Sequence, residues 1–83
     1  MNPLEAFQYM KTTGKPVKAD KTPNFIQDPN WIKLNYTVEN DQIIRHLDDH
    51  EIDRQDLSPW LNWWMNFCYN TNSSSHNVEL IPV

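Results

Sequence analysis

An aromatic segment at residues 59–69 constrains the fold of this 83-residue chain more than any other feature. It contains three of the four tryptophans, together with a phenylalanine and a tyrosine. A large aromatic side chain buries roughly 150–250 Å², whereas so short a chain buries only about 60% of its unfolded surface. The rings must therefore either build most of the core or bind a partner.

Ser58 and Pro59 form a typical helix start, and the spacing of the rings predicts a helix that continues to about Tyr69. The aromatic and apolar positions span more than half of the helix circumference, which is more than one sheet face can cover. We therefore expect some rings to stay exposed, and the candidate partner-binding rings are Trp60, Trp63 and Trp64. Complete burial of these rings in the core, a homodimer, and stacking of nucleobases on the indoles are the alternatives.

The N-terminal residues predict a helix over 3–13. Asn2 is a suitable N-cap, Pro3 suits the first helical position, and Gly14 is a suitable C-cap. The following residues, 15–19, read as a short edge strand because proline is tolerated at sheet edges.

The middle of the chain predicts strands. Residues 20–30 read as a loop that Phe25 and Ile26 tie to the core, and apolar residues alternate with polar ones from Trp31 to Val38, as in a half-buried strand. The segment 42–47 is either the second strand of a hairpin or the start of a helix, and the hairpin is favoured.

The end of the chain completes the predicted fold. Residues 70–77 read as a polar linker, and 78–81 as a final short strand. The sequence thus predicts one small α+β domain over residues 1–83, with an N-terminal helix, an antiparallel sheet of two to four strands and an aromatic C-terminal helix.

Charge is distributed unevenly along the chain. Residues 39–56 contain seven acidic residues against two arginines, whereas residues 1–33 have a net charge of +2. This distribution disfavours direct binding of nucleic acid, which needs clustered cations. Residues 48–56 read as an acidic connection, either simply solvated or able to mimic phosphates on a basic surface. Its candidate partner-binding carboxylates are Asp48, Asp49, Glu51, Asp53 and Asp56.

No residue set predicts catalysis, a metal site or a cofactor. The only glycine, Gly14, excludes a glycine-rich phosphate loop, and Cys68 is expected to be buried and inert. His46 and His50 could share a metal ion only if their segment were helical. We therefore predict a non-enzymatic protein. The N-terminus does not read as a signal peptide and no apolar run is long enough to span a membrane, so a cytoplasmic location is expected.

The first helix and strand contain the runs Leu4-Glu5-Ala6-Phe7, Met10-Lys11 and Gly14-Lys15-Pro16-Val17. A short helix followed by Gly-Lys-x-Val and a strand resembles the opening of a family of small phage proteins. That family includes Thoeris anti-defence proteins, which act as oligomeric sponges for cyclic-nucleotide immune signals, and proteins of anti-CRISPR type. The resemblance covers residues 4–17. It implies a phage-encoded counter-defence protein and carries over no binding residue.

Three functional hypotheses follow. The first is a phage-type inhibitor in the bacterial cytoplasm that blocks a host or defence protein, its acidic segment occupying a basic nucleic-acid-binding surface. The second is a homo-oligomeric sponge that holds a nucleotide-like signal between tryptophans and the basic residues Lys15 and Lys18. The third is an accessory subunit that docks through its aromatic helix.

Overall fold

The computed structural model of the chain describes residues 1–69 and 78–83. Helix α1 spans Pro3–Thr13, as predicted. Its start is fixed by a capping box, in which the Glu5 backbone N–H donates to the Asn2 side chain and the Asn2 N–H donates to the Glu5 carboxylate. Its end is fixed by Gly14, which adopts the left-handed conformation (φ 70°) and donates its N–H to the Met10 carbonyl.

Five antiparallel strands form one sheet in the order β4-β3-β2-β1-β5, one strand more than the upper limit predicted. The strands are β1 Val17–Ala19, β2 Asn35–Glu39, β3 Gln42–Leu47, β4 His50–Asp56 and β5 Leu80–Pro82. The predicted hairpin of β2 and β3 and the predicted C-terminal strand are both confirmed. The expectation that β1 is an edge strand is wrong, because β5 pairs along its outer side.

Two-residue turns join β2 to β3 and β3 to β4. Asn40 and Asp41 have φ angles of 52° and 60°, and Asp48 and Asp49 have φ angles of 51° and 67°. Two consecutive left-handed residues are typical of the turn that matches the twist of a hairpin, and asparagine and aspartate tolerate this conformation. The left-handed conformation of this turn therefore explains why aspartates are found at positions 48 and 49.

Two further predictions need correction. The strand predicted over Trp31–Val38 begins only at Asn35, because Trp31–Lys33 form a 3₁₀ turn in which Lys33 N–H donates to the Asn30 carbonyl. The acidic connection predicted over residues 48–56 is largely strand β4. The linker predicted at 70–77 lies outside the described residues.

Both helices pack on the same face of the sheet. Strand pairing places Val17, Tyr36 and Ile43 on this face, because side chains alternate along each strand. The residues of the core cluster are Ala6, Phe7, Met10, Val17, Ala19, Trp31, Leu34, Tyr36, Ile43, Trp60, Trp64, Cys68, Val78 and Leu80. The opposite face of the sheet is called the open face below; its described side chains are mostly polar.

The second helix, α2, spans Leu57–Trp63 and continues as a π-helical turn over Trp64–Cys68. Asp56 occupies the N-cap position, so the helix begins two residues before the predicted Ser58-Pro59 start. In the π turn the Tyr69 N–H donates to the Trp64 carbonyl at 2.6 Å. The name "aromatic helix" is used below for residues 57–68.

Candidate functional site

The aromatic helix has an inner stripe that forms the centre of the core. Trp60 and Trp64 are each only 1% exposed. Their ring centroids lie 5.9 Å apart, and each lies within 6.0 Å of the Tyr36 ring. Trp31 stacks on Trp64 at 5.7 Å. The expectation that Trp60 and Trp64 stay exposed is therefore wrong, because the sheet and the 3₁₀ turn cover most of both rings.

The outer side of the same helix carries an exposed group of rings, here called the outer aromatic cluster: Phe25, Trp63 and Phe67. These side chains are 54%, 37% and 57% exposed, respectively. The Trp63 ring centroid lies 6.4 Å from that of Phe25 and 6.3 Å from that of Phe67. Trp63 is thus the one predicted partner-binding ring that reaches the surface. Ile26 packs on the core as expected, whereas Phe25 turns outward.

A groove of about 370 Å³ lies between the aromatic helix and the β3–β4 side of the sheet. Arg45 and Gln55 line it from the sheet, and Pro59 and Trp63 line it from the helix. Trp60 also lines the groove, and its Nε1–H has no hydrogen-bond acceptor among the described residues. Because Trp63 belongs to both features, the groove and the outer aromatic cluster form one continuous surface.

Strand β4 and the turn before it carry the predicted acidic residues along one edge of the sheet. The other side of β4 has no strand partner among the described residues. Pairing with β3 places Glu51 and Asp56 on the open face and Asp53 on the helix face, while Asp48 and Asp49 form the turn before the strand. The five candidate carboxylates therefore lie along one edge of the sheet, three on β4 and two in the turn before it, but they point in several directions. They do not form one flat acidic patch.

Two arginines pair with part of this negative charge. Arg45 makes a bidentate hydrogen bond with Asp53, which lowers the pKa of the Asp53 carboxyl and raises that of the guanidinium. Arg54 makes a bidentate hydrogen bond with Glu51, which lowers the pKa of the Glu51 carboxyl. The Arg54 guanidinium also lies 3.6 Å from the Glu39 carboxylate. All of these pairs are substantially exposed, so each contributes little to stability.

The described residues contain no group of three or more histidine, cysteine or carboxylate side chains that could hold a metal ion. The β3–β4 hairpin separates the two candidate histidines. His46 faces the open side, where its ring lies 2.7 Å from the Thr37 hydroxyl, and His50 pairs with Leu47 on the other face. Cys68 is fully buried, and desolvation raises the pKa of its thiol to about 12. A thiol in such surroundings is a poor nucleophile.

The structure separates the parts of the predicted nucleotide sponge within one chain. Lys18 pairs with Asn35, so its side chain lies on the open face, whereas the tryptophans of the aromatic helix lie on the helix face. Lys15 is exposed just before β1, three strands away from β4. Within a single chain, Lys18 and Trp63 therefore lie on opposite faces of the sheet.

Comparison of the chain with protein-family models, with curated proteins and with solved structures finds no match. Among residues 1–69 and 78–83, no helix has the length and apolar character required to cross a membrane. The candidate site therefore stands on its own geometry: an exposed aromatic cluster, a groove beside it, and an acidic strand at the edge of the sheet.

Proposed function

We propose that this chain is a non-enzymatic, phage-type inhibitor that acts in the bacterial cytoplasm by binding and blocking a host or defence protein. The observation that carries the proposal is the outer aromatic cluster beside an acidic edge strand. Exposed tryptophan and phenylalanine side chains are typical anchors of protein interfaces, and the charges around them select the partner. The phage and counter-defence context rests on the resemblance of residues 4–17.

The charge of this region indicates the chemistry of the partner. Residues 39–56 have seven acidic residues against two arginines, and the arginines pair with acids of the same segment. A surface of this kind attracts a basic one, and basic surfaces on bacterial proteins commonly bind nucleic acid. Blocking such a surface requires no chemistry by the inhibitor.

The experiment is an affinity capture from nuclease-treated bacterial lysate with quantitative mass spectrometry. The test variant is D48N/D49N, because asparagine removes both charges yet tolerates the left-handed turn. The control is D20N/D28N, which removes the same charge from the other end of the chain. Asparagine keeps the carbonyl acceptor that Asp20 offers to the Glu79 N–H and Asp28 offers to the Asn30 N–H.

We expect a nucleic-acid-binding protein to be captured by the wild-type chain and by the control. The D48N/D49N variant should bind it about tenfold more weakly at low salt, and W63A should weaken it by about 30-fold, as for an interface hot spot. Added nucleic acid should compete with the complex. Equal capture by both charge variants, or a partner that nucleic acid does not displace, would count against the proposal.

The groove supports a second candidate, the homo-oligomeric sponge for a nucleotide-like signal. Its volume of about 370 Å³ is within the range of small-molecule sites. Trp63 offers a ring for stacking, and an acceptor atom that reached Trp60 Nε1 would pair the unmatched donor. Native mass spectrometry of protein from infected cells tests it, since an oligomer with bound ligand mass would favour the sponge and an empty monomer would contradict it.

A further inference from the structure

Strand β4 offers a second kind of binding surface besides its charges, namely its own backbone. It is the terminal strand of the sheet, and among the described residues its backbone joins only β3 along its length. An edge strand presents a row of unpaired N–H and C=O groups that another extended chain can join. The groove lined by Gln55 of β4 and by Trp63 lies directly alongside.

This combination of a free strand edge and an adjoining groove is the arrangement used to bind extended peptides by strand addition, in which the backbone supplies hydrogen bonds and pockets accept every second side chain. We infer that β4 binds an extended basic segment of the partner protein as an added strand, with an apolar side chain in the groove. The inference rests on the proposed function and specifies how the partner is held.

Alternation of side chains defines the segment that fits. Positions on the helix face of the added strand would meet the groove, with Trp63 and Pro59 on its wall. Positions on the open face would meet the side on which Glu51, Arg54 and Asp56 lie, where the acidic residues outnumber the arginine. The matching sequence therefore alternates apolar residues with lysine or arginine.

A second copy of this chain does not fit the same edge. Pairing β4 with β4 would bring together two strands that each carry Glu51, Asp53 and Asp56 against Arg54, a net charge of −2. Like charges on neighbouring strands are destabilising. The pairing of β4 is irregular at Ile52, because Arg45 pairs with Asp53 and His46 with Glu51, leaving Ile52 as an extra residue. An added strand would therefore pair with the regular part of β4, residues 53–56, beside the groove.

The test uses the complete chain and a short fluorescein-labelled peptide in which lysine alternates with valine or phenylalanine. Two derivatives of the peptide carry N-methyl groups, one at its odd positions and the other at its even positions. An added strand bonds through every second residue. One methylated set should therefore lose at least about tenfold in affinity by fluorescence anisotropy, while the other set binds like the parent.

Two further measurements locate the complex. Amide chemical shifts should change along β4 and at the Trp63 indole, and W63A should weaken binding at least about fivefold relative to M65A, a control at an exposed position of the same helix. Equal affinity of both methylated peptides, absence of binding, or shift changes confined to β1 and β5 would overturn strand addition.

The outcome is separable from that of the proposed function. If the chain captures a basic partner from lysate but binds none of the peptides, the proposed function stands and strand addition is excluded. If the chain binds the parent peptide on β4 but captures no partner, the strand-addition site stands and the proposed inhibitor function is excluded.

Discussion

The two sides of the aromatic helix have similar side chains but differ in burial. Trp60, Trp64 and Cys68 lie in the core, whereas Trp63 and Phe67 are exposed. Hydrophobicity alone does not separate the two sets. What separates them is the helical phase of each residue and the presence of Tyr36 and Trp31 opposite the inner stripe.

The π turn explains how the inner stripe stays in phase. In a regular α-helix, residues four apart advance by about 40° around the axis because there are 3.6 residues per turn, so a stripe at 60, 64 and 68 would drift out of the core. A π turn contains more residues per turn. Placed over Trp64–Cys68, it reverses the drift and keeps Cys68 in line with the two indoles. Turns of this kind are often found at functional sites.

The largest difference between the two sides should appear in stability. W64A removes a fully buried indole and should lower the free energy of unfolding by about 3–5 kcal/mol. W63A removes a partly exposed one and should lower it by less than about 1 kcal/mol. Urea denaturation of both variants at one temperature measures the contrast.

The conservative variant W64F keeps the first comparison interpretable if W64A fails to fold, since it retains a ring in the same place. The free energy of unfolding of W64F should lie between those of W64A and the wild type. Similar losses for W64A and W63A would mean that the two sides of the helix are not different in the way described.

A moderate effect is expected at Cys68, the last residue of the inner stripe. C68S places a hydroxyl among apolar side chains and should lower the free energy of unfolding by about 1–3 kcal/mol. The wild-type thiol should react with a disulfide reagent only after urea is added, because it is buried and its pKa is raised to about 12. Rapid labelling of the native protein would place Cys68 on the outer side instead.

The smallest effect on stability is expected from the ion pair between Arg45 and Asp53, beside the groove. Asp53 has a pKa below its ordinary value of 3.8 because of its hydrogen bond to Arg45. The unfolded chain therefore takes up this proton first as the pH falls. The stabilisation is complete above the ordinary pKa and is lost as the pH falls through the lower, folded value.

D53N measures that contribution. Wild type and variant should differ by about 0.2–1 kcal/mol near neutral pH, because the pair is exposed. The difference should shrink as urea titrations are repeated below about pH 4. A difference that stays constant down to about pH 2.5 would show that the pair does not act through its charge.

Local signals predicted the regular parts of the fold. Asn2, Pro3 and Gly14 fixed the bounds of α1, and the alternation around Tyr36 indicated β2. These features depend on neighbours in the chain, so they can be found without tertiary information. The α+β class followed from them.

The parts that failed depend on contacts between distant residues. Strand β4 has the composition of an acidic loop and becomes a strand because β3 is beside it. Strand β1 directly follows Pro16, which suggested an edge strand, but it is covered by β5, which lies more than 60 residues later in the chain. Trp31 fitted a strand pattern, yet its 3₁₀ turn stacks its ring on Trp64. Composition contains none of this information.

The candidate site could be predicted only in part. The surplus of aromatic surface was visible in the sequence, but its division between Trp60, Trp63 and Trp64 required the sheet and the π turn. Phe67 could have been found from its position four residues after Trp63, on the same side of the helix. Phe25 could not, because it comes from a loop far away in sequence.

The unequal burial of the indoles also has a spectroscopic consequence. Trp31, Trp60 and Trp64 are sealed within the domain, and Trp63 is the tryptophan that solvent reaches readily. A neutral quencher such as acrylamide should therefore act chiefly on one emitter, and anything that covers the groove should shield it. The fluorescence of Trp63 therefore reports whether the groove is occupied, without an attached dye.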